Sequence, residues 1–220
     1  MLIENVPSDR IVVQSVGVDT QVFRPTGCDE SLLREWAVPD GWTSVLYCGR
    51  LIREKGVLDL VRALVELPRT VLILVGEGSE LPRIRVAAAA CGVDDRIRYI
   101  GPVAYASMPR FYSTADVFCL PSVSTPYWQE QFGMVLVEAM ACGIPVVTTA
   151  TGSIPEVVGD AALIVPPYAP EQLATALGAV LDDPTQRAAA SKAGLQRVVD
   201  HYDAAKVAAS LRRIYDRLIC

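Results

Sequence analysis

Glu130-Gln131-Phe132-Gly133-Met134-Val135-Leu136-Val137-Glu138-Ala139-Met140-Ala141-Cys142-Gly143-Ile144-Pro145 is the stretch that decides how the chain is read. An apolar run from Met134 to Cys142 is broken by one carboxylate, Glu138, and a second, Glu130, stands just ahead of it. Gly143-Ile144-Pro145 stops the run. The pattern predicts a loop, a helix beginning near Gly133, and a turn into a buried strand, Val146–Thr149. Glu130 then lies in the loop and Glu138 in the second helical turn. Between them the amides of Gly133, Met134 and Val135 point out of the helix N-terminus, where unpaired N–H groups and the helix dipole favour an anion. Carboxylates accept hydrogen bonds from hydroxyls. Phosphate together with hydroxyls describes a nucleotide sugar. Taken singly, each acid also reads as ordinary, Glu138 on a solvent-facing helix and Glu130 in a loop. The helix has too few polar positions for a solvated face, so Glu138 is expected to be buried and to need a partner.

Outward from this stretch, apolar strands alternate with helices. Strands are expected at Ser44–Cys48, Val71–Val75, Ile97–Ile100, Asp116–Leu120, Val146–Thr149 and Ala162–Val165, with an earlier short one at Ile11–Gln14. Helices are expected at Ser31–Ala37, Val57–Glu66, Ser79–Cys91, Ser107–Thr114 and Ile154–Val158, and three more, Pro170–Leu181, Pro184–Val199 and Asp203–Ile219, close the chain. This alternation implies an α/β fold: a Rossmann-like parallel sheet of about six strands, covered by helices on both faces, with C-terminal helices. Residues 1–20 read as an N-terminal connecting segment and 21–220 as the domain. Ligands of such sheets bind at the carboxyl ends of the strands, and the glycine-bearing loops all follow strands.

The 220 residues are 51% hydrophobic, enough for a proper core, and the net charge of −5 with no basic run argues against nucleic acid as a partner. No apolar run has transmembrane length, and a signal-peptide pattern is not seen at the N-terminus. The six cysteines are scattered without a Cys-x-x-Cys pair, which favours free thiols over disulfides or zinc. His201, the single histidine, reads as a surface residue at a helix junction, leaving a catalytic triad or a histidine metal site little to work with.

Arg50 and Lys55 follow the first core strand on a loop with a glycine at each end. They read either as a diphosphate clamp or, beside Arg53 and Glu54, as a solvated charged turn. Gly76-Glu77-Gly78 permits close ligand approach but is short of a full dinucleotide fingerprint. Gly101-Pro102 is turn chemistry. Gly152-Ser153 reads as a helix cap or a second amide donor. Tyr127 and Trp128 read as stacking groups or as anchors onto the core. Paired carboxylates also suggest glycoside hydrolysis, a weaker reading because it leaves the cation pair unexplained.

Together these residues resemble the donor-binding domain of retaining glycosyltransferases of group one, family four, which have the GT-B fold. The resemblance runs from about residue 9 to the C-terminus. It rests on Glu130 and Glu138 with seven residues between them, and on Gly49-Arg50-Leu51, Glu54-Lys55-Gly56, Val75-Gly76-Glu77-Gly78, Ala115-Asp116-Val117, Pro121-Ser122, Gly143-Ile144-Pro145-Val146-Val147 and Gly152-Ser153-Ile154-Pro155-Glu156-Val157-Val158. It implies a hexosyltransferase that uses a nucleoside-diphosphate sugar of UDP, GDP or ADP type, with retention, no cofactor and no essential metal; the compartment expected from the free cysteines is the reducing cytoplasm. Arg50 and Lys55 would hold the diphosphate, helped by Gly133, Met134 and Val135. Glu138 would bind the ribose, Gly76, Gly78, Ile100 and Gly101 would border the base, and Glu130 would be the catalytic group, acting by positioning and electrostatics. The chain departs from the family in having Ser15-Val16-Gly17 where Pro-Asn-Gly is usual. It also matches only the second of two domains, so an N-terminal acceptor-binding domain or a partner chain is implied, with membrane contact only through that missing half. The alternative is a non-catalytic nucleotide-sugar-binding or regulatory module working with a partner chain.

Overall fold

The structure, a computed structural model, describes Pro7 and residues 10–219. Six parallel strands form one sheet: β1 (Thr43–Cys48), β2 (Thr70–Val75), β3 (Ile97–Gly101), β4 (Val117–Leu120), β5 (Val146–Thr149) and β6 (Leu163–Val165). Their spatial order is β3-β2-β1-β4-β5-β6. β2 shows why the sheet lies in the middle of the molecule. Its sequence, Thr-Val-Leu-Ile-Leu-Val, is apolar on both pleat faces and every residue is buried. Such a strand is stable only between two covering layers.

The covering helices are α1 (Glu30–Glu35), α2 (Val57–Ala63), α3 (Leu81–Ala90), α4 (Met108–Thr114), α5 (Met134–Ala141), α6 (Ile154–Val158), α7 (Pro170–Asp182), α8 (Pro184–His201) and α9 (Ala204–Ile219). Helices α2, α3 and α7 pack in one layer, and α1, α4, α5 and α8 in the other. Chain order reverses between β1 and β4, so the loops leaving these neighbours diverge and open a crevice at their carboxyl ends.

The second layer is locked by polar contacts across the sheet's amino edge. Asp116 accepts from the Ser44 amide and hydroxyl (2.8 and 3.0 Å) and pairs with Arg187 of α8 at 2.6 Å. Helix α8 lies against α5, where Gly194 meets Met140 and Ser191 donates to the Gly143 carbonyl. A cavity of ≈760 Å³ opens at this edge, lined in part by Trp42, Asp116, Pro145 and Arg187; neither Glu130 nor Glu138, nor Arg50 or Lys55, lines it.

One expected strand is corrected. Ile11–Gln14 is irregular, and Ile11, Val12 and Val13 are exposed. The segment has no neighbouring strand to take its backbone groups; the chain first pairs at Val18, in a single bridge to Asp203. The β-branched run Ile11-Val12-Val13 signalled extended backbone there, not a ladder. Cys28, Cys48, Cys91, Cys119 and Cys142 are free thiols, and His201 is exposed at the end of α8. Among the described residues no helix is long and apolar enough to cross a membrane, and no group of three or more His, Cys, Asp and Glu is placed to hold a metal ion.

Candidate functional site

Helix α5 begins where its sequence changes from Phe132-Gly133 to the apolar run. Gly133 is the N-cap in the left-handed region (φ 76°), a turn that a β-carbon would strain, since it would also meet the Leu136 side chain. The first amide to bond inward is Leu136's, to the Gly133 carbonyl at 2.8 Å. The amides of Gly133, Met134 and Val135 precede it and are the first-turn donors that a helix cannot satisfy within itself.

The two acids flank this N-terminus, and both are buried: Glu130 is 8% exposed and Glu138 4%. The solvent-facing reading of Glu138 is therefore overturned, and Glu130 is a loop acid but an enclosed one. Glu130 is anchored by its backbone. Its carbonyl accepts from the Ser153 amide at 3.0 Å, and Gly152 lies so close that a β-carbon there would sit 2.0 Å from that carbonyl oxygen. Gly152-Ser153 thus clamps the first acid. It does not act as a side-chain cap, because the Ser153 hydroxyl makes no bond to the α6 N-terminus. The Glu130 carboxylate pairs with Lys55 Nζ at 2.5 Å, and the same oxygen accepts from Ser122 Oγ at 3.1 Å. Lys55 is brought there by a short turn after β1, Arg53–Lys55, and its ammonium also lies 5.3 Å from the centre of the Trp128 ring. Trp128 is therefore a half-buried anchor, whereas Tyr127 is almost fully exposed.

Glu138 is held differently. Tyr112 donates to Oε2 at 3.0 Å from inside the core, and Tyr105 donates to Oε1 at 2.9 Å from the surface. Burial pushes the Glu138 carboxyl above its ordinary pKa, and the two tyrosine hydrogen bonds work against that shift. Tyr105 in turn is pushed up to about 12, by burial first and then by the carboxylate it serves.

The loops after β1, β2 and β3 interlock on the same edge. Gly49 donates to the Val75 carbonyl, Leu51 to the Glu77 carbonyl and Gly76 to the Gly101 carbonyl, at 3.0, 2.8 and 2.8 Å. A β-carbon on Gly76 or Gly78 would sit 2.1 or 2.2 Å from the carbonyl oxygens of Gly49 and Leu51. Close loop packing requires these glycines whether or not a ligand approaches them. Ile100 is half-buried beside Gly101. Arg50 is exposed, and its carbonyl accepts from the Tyr47 hydroxyl at 2.7 Å. Lys55, Glu130 and Ser122 therefore meet directly, Glu138 stands across the start of α5, and Arg50 reaches solvent from the neighbouring loop. Ser122, Tyr105 and Tyr112 went unrecognised as site residues in the sequence. The available signal was chemical: a tyrosine on an apolar helix needs a hydrogen-bond acceptor, and a lone acid on another needs donors.

The family model for glycosyl transferases group 1 matches residues 29–197. The chain belongs to this glycosyltransferase family. It is 36% identical over 184 residues to a D-inositol 3-phosphate glycosyltransferase of Corynebacterium jeikeium, covering 76% of this chain and 42% of that one. It is 33% identical over 208 residues to a GDP-mannose-dependent alpha-(1-6)-phosphatidylinositol monomannoside mannosyltransferase of Mycobacterium tuberculosis, covering 89% of this chain and 54% of the relative. Among solved glycosyltransferase-family structures, sucrose-phosphate synthase from Thermosynechococcus elongatus superposes with a TM-score of 0.81 at 30% identity, over 93% of this chain and 51% of that one. HepE of Anabaena, solved with UDP-glucose, shares the fold (TM-score 0.84, 23% identity, 94% of this chain and 57% of that one). The chain thus spans about half the length of the relatives it matches.

Proposed function

We propose that this chain is the donor-binding half of a retaining glycosyltransferase that takes a sugar from a nucleoside diphosphate. The observation that carries the reading is the pair of buried acids, Glu130 and Glu138, on either side of the open N-terminus of α5 at the carboxyl edge of the sheet. An anion at that N-terminus accepts from the first-turn amides. On this reading the diphosphate lies there, with Arg50 and Lys55 as counter-charges. An ammonium has three donors, so Lys55 can hold Glu130 and a phosphate oxygen together. Glu138 accepts from the ribose hydroxyls and Glu130 from hydroxyls of the transferred sugar. Gly76, Gly78, Ile100 and Gly101 form the wall against the base.

The chemistry required of these groups is electrostatic. The bond between the sugar's anomeric carbon and the diphosphate oxygen breaks, a bond to an acceptor oxygen forms, and negative charge grows on the departing oxygen. Fixed amides and cations aimed at that oxygen stabilise the charge without reorganising. A chelator is expected to leave donor binding unchanged, because this scheme assigns the diphosphate to cations and amides. The cytoplasm suits a chain whose five described cysteines are free thiols.

Two named relatives, a D-inositol 3-phosphate glycosyltransferase and a GDP-mannose-dependent mannosyltransferase, support sugar transfer as the reaction. The length match supports a two-part enzyme: acceptor contacts would come from an N-terminal half or a partner chain. The same fact supports the second reading, a nucleotide-sugar-binding module without turnover. Calorimetry with UDP, GDP and ADP tests the donor site, and binding by none of them to folded protein would remove it. Adding an N-terminal half and assaying transfer separates the two readings; turnover restored by the partner excludes the module.

A further inference from the structure

Both acids of the site carry hydrogen-bond partners from the chain itself, but the partners of Glu138 are unequal. Tyr112 is fully buried, and its ring sits 5.4 Å from Phe118 of β4. Tyr105 is 62% exposed, on the one-turn segment Tyr105–Ser107 that follows β3, on the edge that carries the site. Its ring rests on Phe23, with centroids 5.1 Å apart, and its hydroxyl reaches inward to Glu138 Oε1 at 2.9 Å. Glu138 is 4% exposed, and of the two side chains that hydrogen-bond its carboxylate only Tyr105 reaches solvent. A vicinal diol arriving from solvent would bring two donors to that carboxylate and would meet the Tyr105 hydroxyl already placed at Oε1.

Resting on the donor-site reading above, we propose that Tyr105 is a displaceable stand-in for the ribose. It caps Glu138 in the unliganded chain and yields its position when a nucleotide arrives, while Tyr112 stays and orients the carboxylate. Tyr105 can move because one hydrogen bond and one tilted aromatic contact hold it. Tyr112 cannot move without opening the core. Nucleotide affinity is then set in part by a competition inside the protein. Ligands with a free ribose diol are selected because they alone replace the lost hydrogen bond.

The test is calorimetry of wild type and Tyr105→Phe with UDP, GDP and ADP, and with the 2′,3′-dideoxy form of whichever binds. Tyr105→Phe removes the competing hydroxyl and keeps the ring on Phe23. The variant is expected to bind the ribonucleotide about tenfold more tightly, roughly 1.4 kcal/mol, and to show no gain with the dideoxy form. Wild-type binding with equal or weaker binding by Tyr105→Phe would overturn the inference and leave the donor site standing. An equal gain for both nucleotides would overturn the ribose assignment. Binding to neither protein would overturn the donor site and this inference with it.

Discussion

Lys55→Met probes the contact that joins the two ends of the site. The Lys55–Glu130 pair is the most enclosed ion pair among the described residues, with side chains 13% and 10% exposed and 2.5 Å between charged atoms. At an effective dielectric of about 20, charges that close attract by roughly 6–7 kcal/mol before desolvation is subtracted. Desolvation of the two ions offsets much of this, so the net worth of the pair is small. Removing one partner is a different matter, because the other charge stays enclosed. Lys55→Met leaves Glu130 with the Ser122 hydroxyl and no counter-charge. We expect a loss of about 3 kcal/mol, the low end for buried pairs because both side chains keep some solvent. Glu130→Gln should lose less, since the amide oxygen still accepts from Lys55. In the double variant neither charge remains, so the combined loss should fall short of the sum by about 2 kcal/mol. Equilibrium urea unfolding reads this directly. With a slope near 3 kcal/mol/M, Lys55→Met lowers the midpoint by about 1 M. Strict additivity, or a midpoint within about 0.2 M of wild type, would refute the claim that the two charges depend on each other. The same variant should bind nucleoside diphosphate about 10- to 150-fold more weakly, the equivalent of one lost charge-assisted contact.

Arg50 is exposed and makes no ion pair among the described residues, so Arg50→Ala should change stability by less than about 0.5 kcal/mol; calorimetry should nevertheless show diphosphate affinity falling about tenfold or more. Gly152→Ala forces a β-carbon against the Glu130 carbonyl at φ 56°, and thermal unfolding should register a loss above about 2 kcal/mol. Tyr112→Phe leaves Glu138 Oε2 without its buried donor and should lose about 1–3 kcal/mol in urea unfolding. Burial raises the Glu138 carboxyl above its ordinary value of 4.5, so the folded state holds that proton more tightly than the unfolded one. Its contribution to stability is full below 4.5 and is lost as pH rises through the raised folded value. Glu138→Gln should flatten that part of the curve of unfolding midpoint against pH, and identical slopes in the two proteins would dismiss the assignment.

The fold was legible because each core strand carries its own signal. Val71–Val75 is apolar on both faces and runs into Gly76, and Val146–Thr149 is β-branched and buried throughout and follows Pro145. The start of α5 was legible for the same reason, since Gly133 and the Gly143-Ile144-Pro145 stop bracket a run that nothing else explains. Ile11–Gln14 misled because a β-branched run reports a preference for extended backbone, whereas a strand also needs a neighbour. The partners of the two acids lay beyond reading. Lys55 and Glu130 are 75 positions apart, and Tyr105 and Glu138 are 33 apart. Such pairings are set by strand order, and above all by the reversal that puts β4 beside β1. That reversal brings the turn after β1 to the loop after β4, and so delivers a lysine to an acid that local sequence leaves alone. The consequence reaches past topology. Each buried carboxylate takes donors from the chain, Lys55 and Ser122 at Glu130 and Tyr105 and Tyr112 at Glu138, and on the proposed donor reading Lys55 is the one a nucleotide sugar recruits and Tyr105 the one it displaces. On that reading stability of the empty site and affinity for its ligand are opposed at Glu138, where Tyr105 competes, and aligned at Glu130, where Lys55 can serve both.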